Sequence, residues 1–199
     1  MAKLKHKLIK NFLNESELKV YQKYCYNKLD ENINYNIDKE NFSPAWYKDP
    51  LMNALLDTKI SLIEKETNLE LFPTYAYWRY YVFGGMLKKH FDRPSCEVSV
   101  TTCIKKYDNW PIVVGGDKFE LEEGDAIIYA GCYQEHWRPG TYKGEGMAQV
   151  FLHYVNKNGP FAHHAYDKYI KDTGGSKFSV EDRKVLDQLI YEYRSLKNQ

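Results

Sequence analysis

The feature that most constrains this 199-residue chain is the rhythm of its middle. After Pro73, short apolar or alternating runs occupy residues 75–83, 97–104, 112–114, 118–121, 126–129 and 148–155. Turn-forming clusters separate them: Gly84-Gly85, Asp92-Arg93-Pro94, Gly115-Gly116, Glu123-Gly124-Asp125 and Pro139-Gly140. Runs this short favour strands over helices, and a period of two turns one face inward and the other outward. Many such strands at close spacing predict a sandwich or jelly roll over about residues 73–158. There is no internal repeat and no low-complexity tract.

The flanks read differently. Leu8, Ile9, Phe12 and Leu13 suggest a short opening strand. Asn14 then stands three residues before Glu17, an N-cap pattern, and Leu18, Tyr21, Cys25 and Leu29 follow at helical spacing. Residues 30–44 are polar, rich in Asn and Asp, and predict a surface loop. Pro50 opens a second helix, with Leu51, Leu55, Leu62 and Ile63 near one face, that ends around Asn68. Near the C-terminus Ser179 precedes Asp182 by three, and Val185, Leu186, Leu189, Ile190 and Tyr193 form an apolar stripe. The expectation is one domain over 1–199, mainly β with flanking helices (α+β), in which helices from both ends pack outside the β core.

Composition narrows the function classes. Lys and Arg number 28 against 27 Asp and Glu, so the net charge is +1. That balance argues against a surface built to cover nucleic acid. No run of about 18 apolar residues exists to span a membrane. The basic start, Lys3 to Lys7, is followed by no apolar run, so no secretory signal is expected. The cysteines at 25, 96, 103 and 132 form no C-x-x-C pair and read as reduced thiols of a cytoplasmic protein. The oligomeric state is left open. Among the 18 Tyr, 9 Phe and 4 Trp, a cluster crowds the strand ahead of residue 90: Tyr75, Tyr77, Trp78, Tyr80, Tyr81 and Phe83. Rings there would wall a dry pocket.

That strand leads into His90-Phe91-Asp92. In extended chain, residues i and i+2 face one side, so an imidazole nitrogen and a carboxylate oxygen can meet at one point. His136, beyond the Gly-Asp turn and the strand at 126–129, supplies a third donor. Two His and one carboxylate form the facial arrangement of non-haem Fe(II) oxygenases, which leaves three positions open. His153 reads as a satisfied core histidine, and Trp78, Trp110 and Trp137 read as core. His163 and His164 are adjacent and would point opposite ways in a strand, which speaks against a joint metal site.

On these residues the chain resembles the 2-oxoglutarate and Fe(II)-dependent oxygenases, nearest the prolyl 4-hydroxylase-like branch. Tyr81 and Gly84 match a Tyr and a Gly spaced ahead of the first metal His. Thr102-Cys103-Ile104 matches the strand running to the cosubstrate pocket. Glu123-Gly124-Asp125-Ala126-Ile127-Ile128-Tyr129 matches the following turn and strand, and His136 the distal His. The wording His136-Trp137-Arg138 and Gln149-Val150-Phe151-Leu152-His153-Tyr154 is similar to a bacterial and phage-type subgroup. The resemblance implies a double-stranded β-helix with Fe(II) held by His90, Asp92 and His136. It implies O2 and 2-oxoglutarate as cosubstrates, and oxidative decarboxylation coupled to hydroxylation of a prolyl or other peptide side chain or of a small-molecule substrate.

The resemblance also implies a cationic anchor for the far carboxylate of 2-oxoglutarate. The related pattern places an Arg at the start of the strand after the distal His, where this chain reads Gly144-Glu145-Gly146-Met147-Ala148-Gln149. The candidate cosubstrate contacts are Tyr81, Lys106, Arg138 and Gln149. Lys106 shares strand parity with Thr102 and Ile104, although Glu97, Ser99, Thr101 and Cys103 are the alternative inner face. Arg93 adjoins Asp92 and steadies the metal loop or touches substrate. Two other readings stand beside this one: a cupin-like metalloenzyme that uses no 2-oxoglutarate, and a non-catalytic jelly-roll binding module. Substrate selection falls to loops, with residues 30–48 and 156–178 as the places where a lid would form.

Overall fold

The computed structural model describes residues 4–30, 37–38, 41 and 43–167. The helix expected around residues 179–193 lies outside them. The described chain forms two antiparallel sheets. The larger contains β1 (Lys7–Ile9), β2 (Ile37–Asp38), β3 (Ser43–Tyr47), β4 (Leu71–Tyr81), β6 (Val98–Lys106), β9 (Ala126–Tyr129) and β11 (Met147–Asn156), in the order β1-β9-β6-β11-β4-β3-β2. The smaller is β5 (Leu87–His90), β10 (His136–Arg138), β7 (Ile112–Val114) and β8 (Asp117–Phe119), in the order β5-β10-β7-β8. This is the predicted jelly roll, with additions. The polar stretch expected to be a loop contributes β3, which pairs Ala45, Trp46 and Tyr47 with Arg79, Trp78 and Tyr77. Trp46 stacks on Trp78 at 3.9 Å, so two rings compensate for the poor strand propensity around them.

The helices lie on the outer face of the larger sheet. Helix α1 (Glu15–Asp30) opens with the expected reciprocal cap: the Glu17 amide donates to Asn14 Oδ1 and the Asn14 amide to Glu17 Oε2, both at 2.9 Å. The single second helix of the sequence reading is two, α2 (Pro50–Thr58) and α3 (Ile60–Thr67). Asp49 caps the first by accepting from the Leu51 and Met52 amides. Asn68, in the left-handed region at φ 53°, ends the second.

Strand parity divides the core. Val98, Val100, Ile104, Val150, Leu152, Ala76 and Trp78 face outward and pack with Met52, Leu55, Leu56 and Ile63 of the helices. The opposite parity faces the space between the sheets. There Cys103, Ile127 and Tyr129 meet Ile112 and Val114, and Tyr81, Met147 and Phe151 meet Trp110 and Tyr142. The inner face of β6 is therefore Ser99, Thr101 and Cys103. A bulge in β6 alters this at its end: Gln149 pairs with Cys103 while Ala148 pairs with Lys105, leaving Ile104 extra.

Candidate metal centre

Register builds the centre. His90 ends β5, His136 begins β10, and the two are Cα partners, with ring centroids 4.2 Å apart. Asp92 lies just past β5, not in a strand, and its amide donates to the Gly131 carbonyl at 3.0 Å. That bond turns the carboxylate back beneath both imidazoles. Asp92 Oδ1 stands 3.6 Å from His90 Nε2 and 3.6 Å from His136 Nε2. The three donor atoms all lie within 4.8 Å of one another. Cis ligands held about 2.1 Å from one ion are about 3 Å apart, so small side-chain rotations close this set on a metal.

The donor chemistry fits as well. His90 Nδ1 meets the Lys88 carbonyl at 2.8 Å and His136 Nδ1 meets the Gln134 carbonyl at 2.9 Å. A carbonyl only accepts, so each Nδ1 carries a proton and each Nε2 is the atom left to give up its proton to solvent and take a metal. Burial alone would raise the Asp92 pKa, but the facing His136 and His90, with His153 beyond, hold it far below the usual carboxylate range. Burial works in the opposite sense at His90, yet Asp92 and the Lys88 carbonyl raise its pKa. His136 is buried and packs on Tyr129 at 4.8 Å, whereas His90 is partly open. Exposed Phe91 lies between His90 and Asp92. Arg93 pairs with Asp167 at 2.7 Å and lies 4.8 Å from the Tyr75 ring, so it braces the metal loop.

The remaining candidates separate. Arg138, two residues along β10 from His136, is 4% exposed. Its Nη1 donates to the Trp110 carbonyl and its Nη2 to Gln149 Oε1 at 3.1 Å. No carboxylate pairs with it among the described residues. Burial pulls its pKa down, and Tyr81, Cys103, Tyr129 and Tyr142 surround it. The Nε2 of Gln149 is buried, meets no oxygen or nitrogen acceptor among the described residues, and faces the Cys103 sulfur. Tyr81 is fully buried and meets Trp110 edge-on at 5.1 Å. Arg138, Gln149 and Tyr81 thus form one polar niche.

Lys106 is placed differently from its predicted parity. The β6 bulge pairs it with Met147, on the inner side, but its ammonium goes to Glu122 at 2.9 Å and Asn109 at 2.7 Å. An ammonium already held by a carboxylate is a weak candidate for a second one, so the niche has its cation in Arg138.

Some inner residues carried no clear signal in the sequence. Ser99 Oγ lies 3.0 Å from Asp92 Oδ2. Gly131 leaves room for that contact: a Cβ there would sit 2.3 Å from Ser99 Oγ and 2.5 Å from Asp92 Oδ2. Tyr47, Tyr77 and Phe151 stack in series at 4.6 Å each, forming an aromatic wall on the inner face. Parity would have found Ser99 and Phe151; Gly131 is legible only once the loop is folded.

At the level of sequence, no protein-family model and no curated protein matches the chain. Solved structures do. A viral collagen prolyl hydroxylase from Paramecium bursaria Chlorella virus-1 superposes with a TM-score of 0.59 at 12% identity, covering 77% of this chain and 96% of that one. An oxidoreductase of the 2OG-Fe(II) oxygenase family from Burkholderia pseudomallei gives 0.57 at 14% identity, covering 77% and 85%. The alpha-ketoglutarate-dependent epimerase SnoN of nogalamycin biosynthesis gives 0.65 at 9% identity, covering 76% of each chain. The chain has the jelly-roll fold of 2OG-Fe(II) oxygenases. The neighbours include both a hydroxylase and an epimerase, so the fold does not name the reaction. No helix among the described residues is long and apolar enough to cross a membrane.

Proposed function

We propose that this chain is an Fe(II)- and 2-oxoglutarate-dependent oxygenase acting on a peptide side chain or a small molecule, with hydroxylation as its reaction. The observation that carries the reading is the pairing of two sites on one short strand. His136 completes a His-Asp-His face, and two residues later Arg138 holds a buried positive charge with no acid beside it among the described residues. A buried, unpaired guanidinium is costly and marks a place for an anion. A forked cation beside Gln149 and Tyr81 suits the far carboxylate of 2-oxoglutarate.

His90, Asp92 and His136 would hold the metal, which when bound supplies the means of activating O2 against 2-oxoglutarate. The protein's own residues do the rest. Arg138 and Gln149 orient the cosubstrate, and the wall of Tyr47, Tyr77 and Phe151 keeps water from the reacting face. The partly open side at His90 and Phe91 is where substrate enters.

The test is anaerobic. Protein with Fe(II) and 2-oxoglutarate should develop a weak visible charge-transfer band and release succinate when oxygen is admitted. His90→Ala should abolish both. No band and no succinate from the intact protein would sink the reading.

A further inference from the structure

We infer that Ser99 and His153 are positioning residues for Asp92, joined in a two-bond relay that keeps Oδ1 of this carboxylate aimed at the metal position. The inference rests on the metal site proposed above and concerns the carboxylate oxygen that faces away from it. Oδ1 faces both imidazoles at 3.6 Å, so it is the oxygen offered to metal. Oδ2 faces Ser99 Oγ at 3.0 Å, and the same hydroxyl lies 3.0 Å from His153 Nδ1.

Proton counting fixes the direction of both bonds. An ionised carboxylate only accepts, and a serine hydroxyl has one proton to give. The hydroxyl therefore donates to Asp92 Oδ2, and His153 must carry its proton on Nδ1 and donate to Ser99 Oγ. The Cys96 carbonyl, 3.3 Å from Ser99 Oγ, is the longer and competing acceptor. The relay reads His153 Nδ1–H to Ser99 Oγ–H to Asp92 Oδ2.

The fold makes this relay rather than merely permitting it. Ser99 and His153 are Cα partners on β6 and β11, so sheet register sets their separation. His153 is buried, and its ring packs against Tyr75 at 4.6 Å and Tyr77 at 5.9 Å, which restrains rotation. Gly131 supplies both the carbonyl that holds the Asp92 amide and the space the Ser99–Asp92 bond needs. The sequence reading of His153 as a satisfied core histidine captured its burial and missed its partner. The chemical consequence is aim. With Oδ2 held, Oδ1 stays pointed at the metal position between the imidazoles; with Oδ2 freed, the carboxylate can rotate and lose that aim.

Metal-free protein titrated with Mn(II), with free Mn(II) followed by electron paramagnetic resonance, tests the relay without 2-oxoglutarate. Losing an outer partner of a ligand weakens metal binding about 10–100-fold, and Ser99→Ala should show that. His153→Leu should weaken binding too, and the double variant should be no weaker than Ser99→Ala alone, because His153 acts through Ser99. His153→Asn places an amide N–H where Nδ1 stood and should restore affinity to within about threefold of wild type, on the same relay logic. A packing role predicts the reverse order, with bulky Leu better tolerated than Asn. Ser99→Ala at wild-type affinity, additive losses in the double variant, or Asn no better than Leu would each overturn the relay. If the unaltered protein binds no Mn(II), metal site and relay fall together. A relay that behaves as expected in protein giving no 2-oxoglutarate band stands, and only the cosubstrate assignment fails.

Discussion

Replacing Arg138 with Met tests the cosubstrate assignment most directly, because two expectations pull in opposite directions. In the free protein the guanidinium is a buried charge with no acid beside it among the described residues, held by the Trp110 carbonyl and by Gln149 Oε1. Substituting a buried ion with an apolar side chain of similar volume is neutral to stabilising by about 1–4 kcal/mol. Leaving those two acceptors unmet costs about 1–3 kcal/mol each. The two unmet acceptors outweigh that gain by about 2 kcal/mol, so the melting temperature of the free protein should fall modestly. Binding should change greatly. Truncating one partner of a buried, hydrogen-bonded charge pair costs about 2–5 kcal/mol. Taking about 3 kcal/mol, the dissociation constant for 2-oxoglutarate should rise about 150-fold. The assay is an anaerobic titration of the Fe(II) protein with 2-oxoglutarate, read at the charge-transfer band. Mn(II) affinity serves as the control and should not move. Arg138→Lys should fall between the two, since an ammonium keeps the charge and loses the fork. An Arg138→Met constant within threefold of wild type would refute the assignment. So would a large loss in Lys106→Met with Arg138→Met unaffected, which would return the anchor to the lysine now paired with Glu122.

Two further outcomes follow from the packing. Gly131→Ala should lower stability by about 1–3 kcal/mol and weaken Mn(II) binding, because its Cβ would fall on Ser99 Oγ and Asp92 Oδ2; unchanged metal affinity would show that the loop relaxes freely. At the start of α1, burial would raise the Glu17 pKa, but Lys59 and the Asn14 amide bring it below the ordinary 4.5. A depressed carboxylate stabilises above its unfolded pKa and loses that contribution as pH falls through the folded value. Lys59→Met should therefore lower the melting temperature near pH 7, and the difference from wild type should shrink toward pH 3; a difference independent of pH would refute the pairing.

The legible and illegible parts of this chain divide by the range of the interactions that set them. Period-two runs and turn clusters are local, so β4, β6, β7, β9 and β11 were readable, as was the Asn14–Glu17 cap. The candidate metal group His90, Asp92 and His136 is readable because His90 and Asp92 are neighbours and His136 follows a recognisable turn and strand. Strand β3 was not readable: Ser43–Tyr47 is polar at one end and contains Pro44, and it forms through pairing with β4 and the stack of Trp46 on Trp78. The inner parity of β6 was left open because both of its faces are buried, and a strand covered on both sides does not alternate cleanly. The bulge at Ile104 then moved Lys106 to the side parity had denied it. A bulge carries no local mark here, since its cause is the register with β11.

The missing strand arginine also finds its account in register. Gln149 occupies the place where a charge was expected, and Arg138 reaches that place from the other sheet to bond its side-chain oxygen. This gives the site a length scale. His136 and Arg138 are i and i+2 on β10, so their Cα atoms are about 6.6 Å apart at about 3.3 Å per residue. The terminal carbons of an extended five-carbon diacid are about 5 Å apart, from four bonds of about 1.5 Å in zigzag. On the cosubstrate assignment proposed above, metal and guanidinium would hold the two ends of one such molecule. Lengthening the diacid must then displace one end. 2-Oxoadipate, one methylene longer, should bind more weakly by about 1–3 kcal/mol, or about 5- to 150-fold. In Arg138→Met, which has no fixed cation to reach, that discrimination should fall toward unity. Discrimination that survives in the variant would mean that the walls of the pocket, not the span from His136 to Arg138, measure the cosubstrate.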